Sequence, residues 1–341
     1  MKNQLMLKKA FIITTINKPN KIMKLYAKMC KKNDISYYII GDYKSPKKFK
    51  LKNSNYLNIK DQEKLNFTYA KKCIKNSYVR KNIGYLIAIK NGADVIIESD
   101  DDNLPFKNFF DGISVNKKCI ILKDKKWINI FNYFLKDKKN IIWPRGFPLD
   151  EIKKKNNFNG KIKKIFSPVQ QHLSANDPDV DAIYRLTNEE KNIIFLKKTP
   201  LGIHHNTYST FNSQNTRWFK FAFPLLYLPT NCTFRACDIW RGLVALRVLH
   251  LNNIPLIYSS ATNMQYRNYH NIFKDFQDEV PFYLKNKIII NSIYSMKLPK
   301  GKKNIILAMK LIYTKLVREK IFPKKEMTFL NYWINDIRKI I

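Results

Sequence analysis

Apolar residues in the first hundred positions fall into short runs separated by longer mixed segments. The runs are rich in β-branched residues, which favour strands, and the mixed segments have helical spacing. Predicted strands cover residues 11–16, 36–42, 56–59 and 93–99, and predicted helices cover residues 21–33 and 78–90. Because alternating strands and helices are joined by crossover connections, this order predicts an α/β fold with a mostly parallel central sheet.

The regular alternation ends at Phe106. Residues 151–164 form a polar segment rich in Lys and Asn, predicted to be an exposed connection, and residues 177–186 and 211–216 are predicted to be polar loops. A helix over residues 238–252 and a strand over 254–259 follow. Beyond Lys285 the chain is basic and predicted to be helical, so we divide it into a catalytic domain (1–285) and a helical C-terminal extension (286–341).

The extension carries apolar residues at helical spacing: Ile305, Ile306, Met309, Ile312, Leu316 and Val317. Such a stripe packs against a neighbouring domain or lies on a membrane surface. Packing is the more common outcome, and we expect it here.

Three consecutive acids, Asp100, Asp101 and Asp102, follow the predicted strand 93–99 directly. The carboxyl ends of strands in open α/β sheets are where ligands bind. Adjacent carboxylates repel one another unless a cation or strong donors lie among them, and oxygen-only ligands suit Mg²⁺ or Mn²⁺. Asp100 and Asp102 point to the same side of an extended segment, so they form a candidate metal–diphosphate site, whereas Asp101 points to the other side.

The charge is extreme, with 63 Lys and Arg against 26 Asp and Glu and a net charge of +37. Such a charge attracts nucleic acids, anionic membranes or phosphorylated substrates. The excess is mostly Lys, spread along the chain together with Ile and Asn, a pattern typical of AT-rich coding sequence. No zinc-finger or RNP-type motif is present, so we expect no specific nucleic-acid partner.

The five cysteines are scattered without a C-x-x-C pair, which favours reduced thiols over disulfides or a zinc site. The apolar run near the N-terminus is too short for a signal sequence, and no segment has the ~20 apolar residues of a membrane span. We therefore expect a soluble cytoplasmic protein, with peripheral contact at the inner membrane face as an option.

Six motifs in order carry a resemblance to a known family. They are Arg80-Lys81-Asn82-Ile83-Gly84-Tyr85-Leu86, Asp100-Asp101-Asp102-Asn103, Trp143-Pro144-Arg145-Gly146-Phe147-Pro148-Leu149, Asp177-Pro178-Asp179-Val180-Asp181-Ala182, Phe211-Asn212-Ser213-Gln214-Asn215-Thr216 and Asp238-Ile239-Trp240-Arg241-Gly242. Over residues 75–275 the series resembles the STELLO glycosyltransferases. The resemblance implies a GT-A type nucleotide-binding sandwich with an Asp-x-Asp motif, Mn²⁺ or Mg²⁺, and a nucleoside-diphosphate-sugar donor.

A more distant similarity is to the reversibly glycosylated polypeptides, which act as UDP-arabinose mutases. In that family an arginine shortly after the Arg-Gly-aromatic-Pro segment is glycosylated. Here Pro148 is followed by Leu149-Asp150-Glu151-Ile152 without an arginine. This difference favours transfer of the sugar to a separate acceptor over a mutase reaction.

The candidates for donor binding are Asp100 and Asp101 of the triplet and three basic residues. Arg80 and Lys81 stand at the start of a predicted helix, where cations oppose the helix dipole unless an anion is bound. Arg145 lies between two prolines on a stiff turn that could present its guanidinium to a phosphate. For all three, ordinary structural roles are the alternative.

The remaining candidates are acidic residues and one histidine. The family resemblance makes Asp179 and Asp181 candidates for sugar or acceptor contact, with helix capping and turn hydrogen bonding as the alternative. Asp238, at a predicted helix start, is the candidate general base, with N-capping as the alternative. His270 follows the last predicted core strand and, with Asp100 and Asp102, is a candidate metal ligand, because many enzymes of the GT-A type use a late histidine.

These observations predict a metal-dependent glycosyltransferase that transfers a sugar from a nucleoside-diphosphate donor to a glycan or lipid-linked acceptor. A nucleotide-sugar mutase is the alternative enzyme. A basic protein that binds nucleic acid or a membrane surface, with an incidental Asp triplet, is the alternative outside the enzymes.

Overall fold

The structure is a computed structural model that describes residues 7–123, 126–139, 141–188, 192–268 and 270–341. The strands are β1 (Lys9–Thr14), β2 (Ile35–Ile40), β3 (Asn55–Leu57), β4 (Val95–Ser99), β5 (Asn103–Pro105), β6 (Asn116–Leu122), β7 (Lys161–Phe166), β8 (Val169–Asn176), β9 (Leu201–Ile203), β10 (Asn215–Phe219) and β11 (Leu256–Gln265). The α-helices are α1 (Lys21–Lys32), α2 (Ile59–Glu63), α3 (Thr68–Lys72), α4 (Lys81–Lys90), α5 (Ile130–Phe134), α6 (Ala182–Thr187), α7 (Cys237–Leu251), α8 (Ile272–Tyr294), α9 (Ile305–Arg318) and α10 (Glu326–Arg338). Short 3₁₀ helices cover Tyr78–Arg80, Leu149–Glu151, Lys220–Leu226 and Lys302–Asn304.

All the strands belong to one sheet, in the order β3-β2-β1-β4-β10-β8-β11-β9-β6-β7, with β5 paired to β11. The first four neighbours in this order are parallel, as predicted. The expectation of a mostly parallel sheet is not confirmed for the rest, where the parallel pairs β8–β11 and β6–β9 are mixed with antiparallel pairs. β10 runs antiparallel to both β4 and β8, and β11 runs antiparallel to β9 and β5. The cause is the chain between residues 106 and 236, where irregular connections replace most of the crossover helices that keep strands parallel.

The antiparallel placement of β10 brings distant polar segments to one edge of the sheet. Asn215, at the start of β10, pairs with Ser99, at the end of β4. The segments before β10 and after β4 therefore emerge side by side. Asn176 and Gln265, the last residues of β8 and β11, are also paired, so the chain after each continues at the same edge.

Helix α1 illustrates how the sequence pattern produces packing. Asn20 caps the helix by accepting a hydrogen bond of 2.8 Å from the backbone N–H of Met23. The buried positions of α1 recur at helical spacing, and Tyr26 among them packs its ring 4.5 Å from that of Phe11 on β1. This face and the strands β1, β2 and β4 enclose a compact apolar cluster on one side of the sheet.

The C-terminal helices share the main hydrophobic core. Ile305, Met309, Ile312 and Leu316 are buried, so the apolar stripe packs inward as expected. From α10, the carboxylate of Asp336 accepts hydrogen bonds from the first backbone N–H groups of α3. The proposed boundary at residue 285 falls inside the continuous helix α8, so the structure shows no break there.

Among the described residues, no helix combines the length and the apolar composition that spanning a membrane would require.

Candidate active site

A cavity of about 600 Å³ opens at the edge of the sheet where the polar segments meet. Pockets that bind small molecules have volumes of about 300–1,000 Å³, so this one has room for a nucleotide sugar. Its walls include the ends of β1 and β2, the Asp triplet after β4, and residues that precede β10, begin α7 and follow β11. Predicted residues on these walls are Arg80, Asp100, Asp101, Asp102, Arg145, Asp179, Asp238 and His270.

The three carboxylates of the triplet have different partners. Asp101 accepts hydrogen bonds from the hydroxyl of Thr15 at 2.5 Å and the amide of Asn17 at 2.9 Å, which fix it to the segment after β1. Asp102 accepts a hydrogen bond of 3.2 Å from the amide of Gln265. Asp100 is held by the cluster described next, so each carboxylate has its own set of partners, and all three residues line the cavity.

Lys81 and Tyr78 hold Asp100. The Nζ atom of Lys81 is buried and donates to Asp100 Oδ1 at 3.2 Å, to the Tyr78 hydroxyl at 2.7 Å and to two backbone carbonyls. The Tyr78 hydroxyl donates to Asp100 at 2.9 Å. Lys81 lies behind the triplet as an internal counter-charge for Asp100, and this position does not suit direct binding of a donor phosphate.

Burial and neighbouring charges shift the titration of two carboxylates of the triplet. Burial, together with the neighbouring charge of Asp100, raises the pKa of Asp102 to about 6. Burial also raises the pKa of Asp100, although Lys81 opposes this. Asp102 is buried and the side chain of Asp100 is 30% exposed. Their raised pKa values indicate that the negative charge of both carboxylates is under-compensated, which is the environment that a bound cation relieves.

Arg80 has a structural role. Its guanidinium is buried and donates to the side chain of Gln62 at 2.6 and 2.9 Å, and to the carbonyls of Cys73 and Ile74. These four bonds tie the helices α2 and α3 to the cavity wall. They occupy four of the five N–H donors of the guanidinium, and the binding of the donor by Arg80 stays a prediction.

Arg145 lies between two carboxylates instead of presenting its guanidinium to solvent. Its Nε atom donates to both oxygens of Asp179 at 2.9 Å, and its Nη2 atom donates to Asp238 Oδ2 at 2.9 Å. The next residue, Gly146, has φ +79°, and a Cβ atom there would lie 2.7 Å from Cγ2 of Ile239. The turn is closely packed at Gly146, and it directs Arg145 into a buried ion-pair network.

Asp238 lies in the first turn of α7 and lines the cavity, but its carboxylate is not free. Both oxygens accept from Arg145, and Oδ2 also accepts from the backbone N–H and the hydroxyl of Ser213 at 3.2 Å. This geometry argues against Asp238 as a general base and for a role in fixing Arg145.

Asp179 and Asp181 lie in different environments. Burial favours a high pKa for Asp179, but the guanidinium groups of Arg145 and Arg235 together hold it well below its usual range. Asp181 is fully buried, caps α6 through the backbone N–H of Tyr184 and accepts from the indole of Trp143 at 2.6 Å. Burial raises the pKa of Asp181 to about 7. Asp181 is not among the described residues that line the cavity, so capping, the alternative interpretation, describes it best.

His270 lies on the cavity wall with Asp275 behind it. Its Nδ1 atom is 3.3 Å from Asp275 Oδ2. A carboxylate behind an imidazole is the usual support for a metal-binding histidine. Within the described part of the chain, no group of three or more His, Cys, Asp and Glu side chains is arranged to hold a metal ion. Mg²⁺, however, is commonly held by only one or two carboxylates together with substrate phosphates, so the chemistry of Asp100 and Asp102 still fits a divalent cation.

One functional contact that the sequence did not predict lies beneath the triplet. Glu98 on β4 and Arg241 on α7 form a fully buried ion pair of 2.8 Å. Trp218 donates its indole N–H to Glu98 at 2.7 Å, and Tyr85 donates its hydroxyl to the same carboxylate. This network joins the strand that ends in the triplet to the helix that carries Asp238. The sequence signal was weak, because Glu98 and Arg241 lie in largely apolar segments that also carry other charged residues, Asp94 and Arg247 among them.

The sequence profile of the STELLO glycosyltransferases matches residues 235–341. Two Arabidopsis thaliana proteins are also similar: the probable glycosyltransferase STELLO2, 30% identical over 232 residues, and the probable glycosyltransferase STELLO1, 29% identical over 232 residues. The resemblance to the STELLO glycosyltransferases is confirmed. The aligned region covers 62% of this chain in both cases, and this chain spans about 30% of the length of the curated relatives it matches.

The position of the profile match refines the resemblance. It begins at Arg235, includes Asp238 and His270, and continues through the C-terminal helices to Ile341. Residues 286–341 are therefore part of the region that the STELLO profile describes, consistent with their place in the main core. The Asp triplet lies before this region, so its assignment depends on the geometry of the cavity.

Proposed function

We propose that this protein is a metal-dependent glycosyltransferase of the GT-A type, which uses the cavity to bind a nucleoside-diphosphate-sugar donor. The proposal includes a glycan or lipid-linked acceptor, a cytoplasmic location and peripheral contact with a membrane surface. The similarity to STELLO glycosyltransferases supports the reaction class. The net charge of +37 supports anionic partners, phosphate-bearing donors included.

One observation carries the donor site. The carboxylates of Asp100 and Asp102 line the same cavity of about 600 Å³, and burial, with repulsion from neighbouring carboxylates of the triplet, raises the pKa of both. In the proposal these two residues hold Mn²⁺ or Mg²⁺, with His270 as a further candidate ligand. A divalent cation bound there would stabilise the negative charge that the nucleoside diphosphate gains when it leaves.

The remaining residues position this site. Lys81 neutralises part of the charge on Asp100 from behind, and Asp101 fixes the triplet to the segment after β1 through Thr15 and Asn17. Arg145 and Asp238 also line the cavity and form an ion pair. Because both oxygens of Asp238 are engaged, we propose that this pair maintains the shape of the cavity and does not transfer a proton.

The proposal is tested by donor turnover. UDP- and GDP-sugars are incubated with the purified protein and Mn²⁺, Mg²⁺ or a chelator, and release of the nucleoside diphosphate is measured. We expect release from at least one donor, dependent on the cation. The matched control is Asp34→Asn, which removes a carboxylate from the turn after α1, outside the residues that line the cavity. No release from any donor, or full release with the chelator, would refute the metal-dependent transferase.

A further inference from the structure

Arg267 lies on the cavity wall just beyond the end of β11. Two residues earlier, Gln265 donates a hydrogen bond to Asp102, so Arg267 belongs to the segment that borders the triplet. Only 9% of its side chain is exposed. None of the roles described above uses this guanidinium.

The pairing of Arg267 is incomplete. Its Nη2 atom is 3.4 Å from Asp275 Oδ2, and the same oxygen is 3.3 Å from His270 Nδ1. Its Nε atom is buried without a hydrogen-bond partner in the described structure. By contrast, Arg235 lies 2.7 Å from Glu279 and Arg145 bridges two carboxylates.

The surroundings of Arg267 disfavour its charge. Burial, together with the nearby guanidinium groups of Arg185 and Arg235, lowers the pKa of Arg267 to about 10, while Asp179 and Asp177 oppose the shift. A buried guanidinium with a long, shared contact and cationic neighbours gains stability from an additional anion. The planar fork of arginine also matches the oxygens of phosphate and carboxylate groups.

We propose that Arg267 is the centre of an oxyanion subsite in the cavity, where it binds a phosphate or carboxylate group of the donor. The inference rests on the proposed function, because it takes the cavity to be the donor site. Two parts of a donor carry this chemistry: the terminal phosphate of the nucleoside diphosphate and the carboxylate of an acidic sugar. The subsite is separate from the carboxylates of the triplet, with which Arg267 forms no ion pair in the described structure.

The test compares Arg267→Gln with the wild type in binding titrations at fixed Mn²⁺. The ligands are UDP, UMP, UDP-glucose and UDP-glucuronate. Loss of a charge-assisted interaction is expected to weaken binding by about tenfold or more. If the subsite holds the terminal phosphate, binding of UDP weakens and that of UMP does not. If it holds a sugar carboxylate, only UDP-glucuronate is affected.

Controls separate the outcomes. Arg318→Gln removes the same charge from the exposed end of α9 and should leave all four affinities unchanged. Arg267→Lys keeps the charge without the fork, should retain intermediate affinity, and provides the comparison if Arg267→Gln does not fold. Wild-type affinities in both Arg267 variants would overturn the subsite alone. If the wild type binds none of these ligands, the guanosine counterparts are titrated in the same way, and absence of binding in both sets would overturn the proposed function and the subsite together.

Discussion

The buried pair between Glu98 and Arg241 gives a stability prediction with a defined magnitude. Glu98 is fully buried and Arg241 is 1% exposed, and their oxygen and nitrogen atoms are 2.8 Å apart. Arg241→Met would leave the Glu98 carboxylate with only the Tyr85 hydroxyl and the Trp218 indole as donors. Removing one member of a buried pair typically costs about 3–5 kcal/mol.

The loss can be measured as a shift in the midpoint of thermal unfolding. The entropy of unfolding is about 0.7 kcal/mol per kelvin for a chain of 341 residues, so the expected decrease is about 4–7 °C. The matched control is the surface pair of Lys75 and Glu63, which are 54% and 45% exposed. Lys75→Met removes a comparable charge, and an exposed pair contributes less than about 1 kcal/mol.

A double variant tests the electrostatic reasoning. Glu98→Gln combined with Arg241→Met leaves no uncompensated charge in the network, so its cost should be smaller than the sum of the two single costs. Scanning calorimetry of the four proteins gives the coupling. The reasoning is refuted if Arg241→Met lowers the midpoint no more than Lys75→Met does, or if the two single costs simply add.

Three further predictions concern the cavity. Asp238→Asn should lower the free energy of unfolding by about 1–3 kcal/mol and weaken donor binding, because Arg145 loses a counter-charge. Unchanged thermal unfolding with reduced turnover would restore Asp238 as the candidate base. Gly146→Ala should lower the free energy of unfolding more than Gly301→Ala does. Both glycines have positive φ, but only the Cβ atom at position 146 would meet close neighbours, since one at position 301 would meet nothing within 4 Å. Equal losses in calorimetry would contradict the close packing at Gly146. Cation-dependent UDP affinity should fall as the pH decreases through about 6, where the proton competes for Asp102, and a flat profile from pH 7.5 to 5 would contradict this.

The sign of the pH effect is opposite for the stability of the protein without a ligand. The pKa of Asp102 is raised in the folded state, so the folded protein binds this proton before the unfolded chain does. The contribution of Asp102 to the free energy of unfolding therefore increases as the pH falls from about 6 to about 4, the unperturbed range of an aspartate.

The sequence was sufficient for elements formed by local signals. The strands β1, β2 and β4 and the helices α1 and α7 begin and end within two residues of the predicted positions. Their signals are apolar runs, helical spacing and polar capping residues, which act within a few positions of the chain. The apolar stripe of α9 was also predicted to pack inward, and its residues lie in the main core.

Elements formed by distant pairing were missed. The segment 151–164 was predicted to be a connection, but its last four residues begin β7, which pairs with β6. The side chains of these four residues, three lysines and one isoleucine, are exposed to solvent. The predicted loop 211–216 leads into β10, which is buried between β4 and β8. Neither segment has a local strand pattern. Both become strands because neighbouring strands of the sheet supply their hydrogen bonds.

The sequence predicted the location of the candidate site better than the contacts of its side chains. The prediction that Asp100, Asp102, Asp238 and His270 share one region agrees with the cavity, because all four line it. The partners of each side chain could not be derived from sequence spacing. The pairing of Arg145 with Asp179 and Asp238 joins segments more than thirty residues apart, and only the folded sheet edge brings them together.

The central claim is that the triplet holds a divalent cation together with the donor diphosphate. The most direct measurement is calorimetric titration of UDP and GDP, with and without Mn²⁺, into the wild type and Asp102→Asn. The account predicts that Mn²⁺ strengthens binding of one nucleotide by the wild type, and that Asp102→Asn loses this dependence while its thermal unfolding stays cooperative. Equal strengthening by Mn²⁺ in Asp102→Asn, or no effect of Mn²⁺ on the wild type, would contradict the claim.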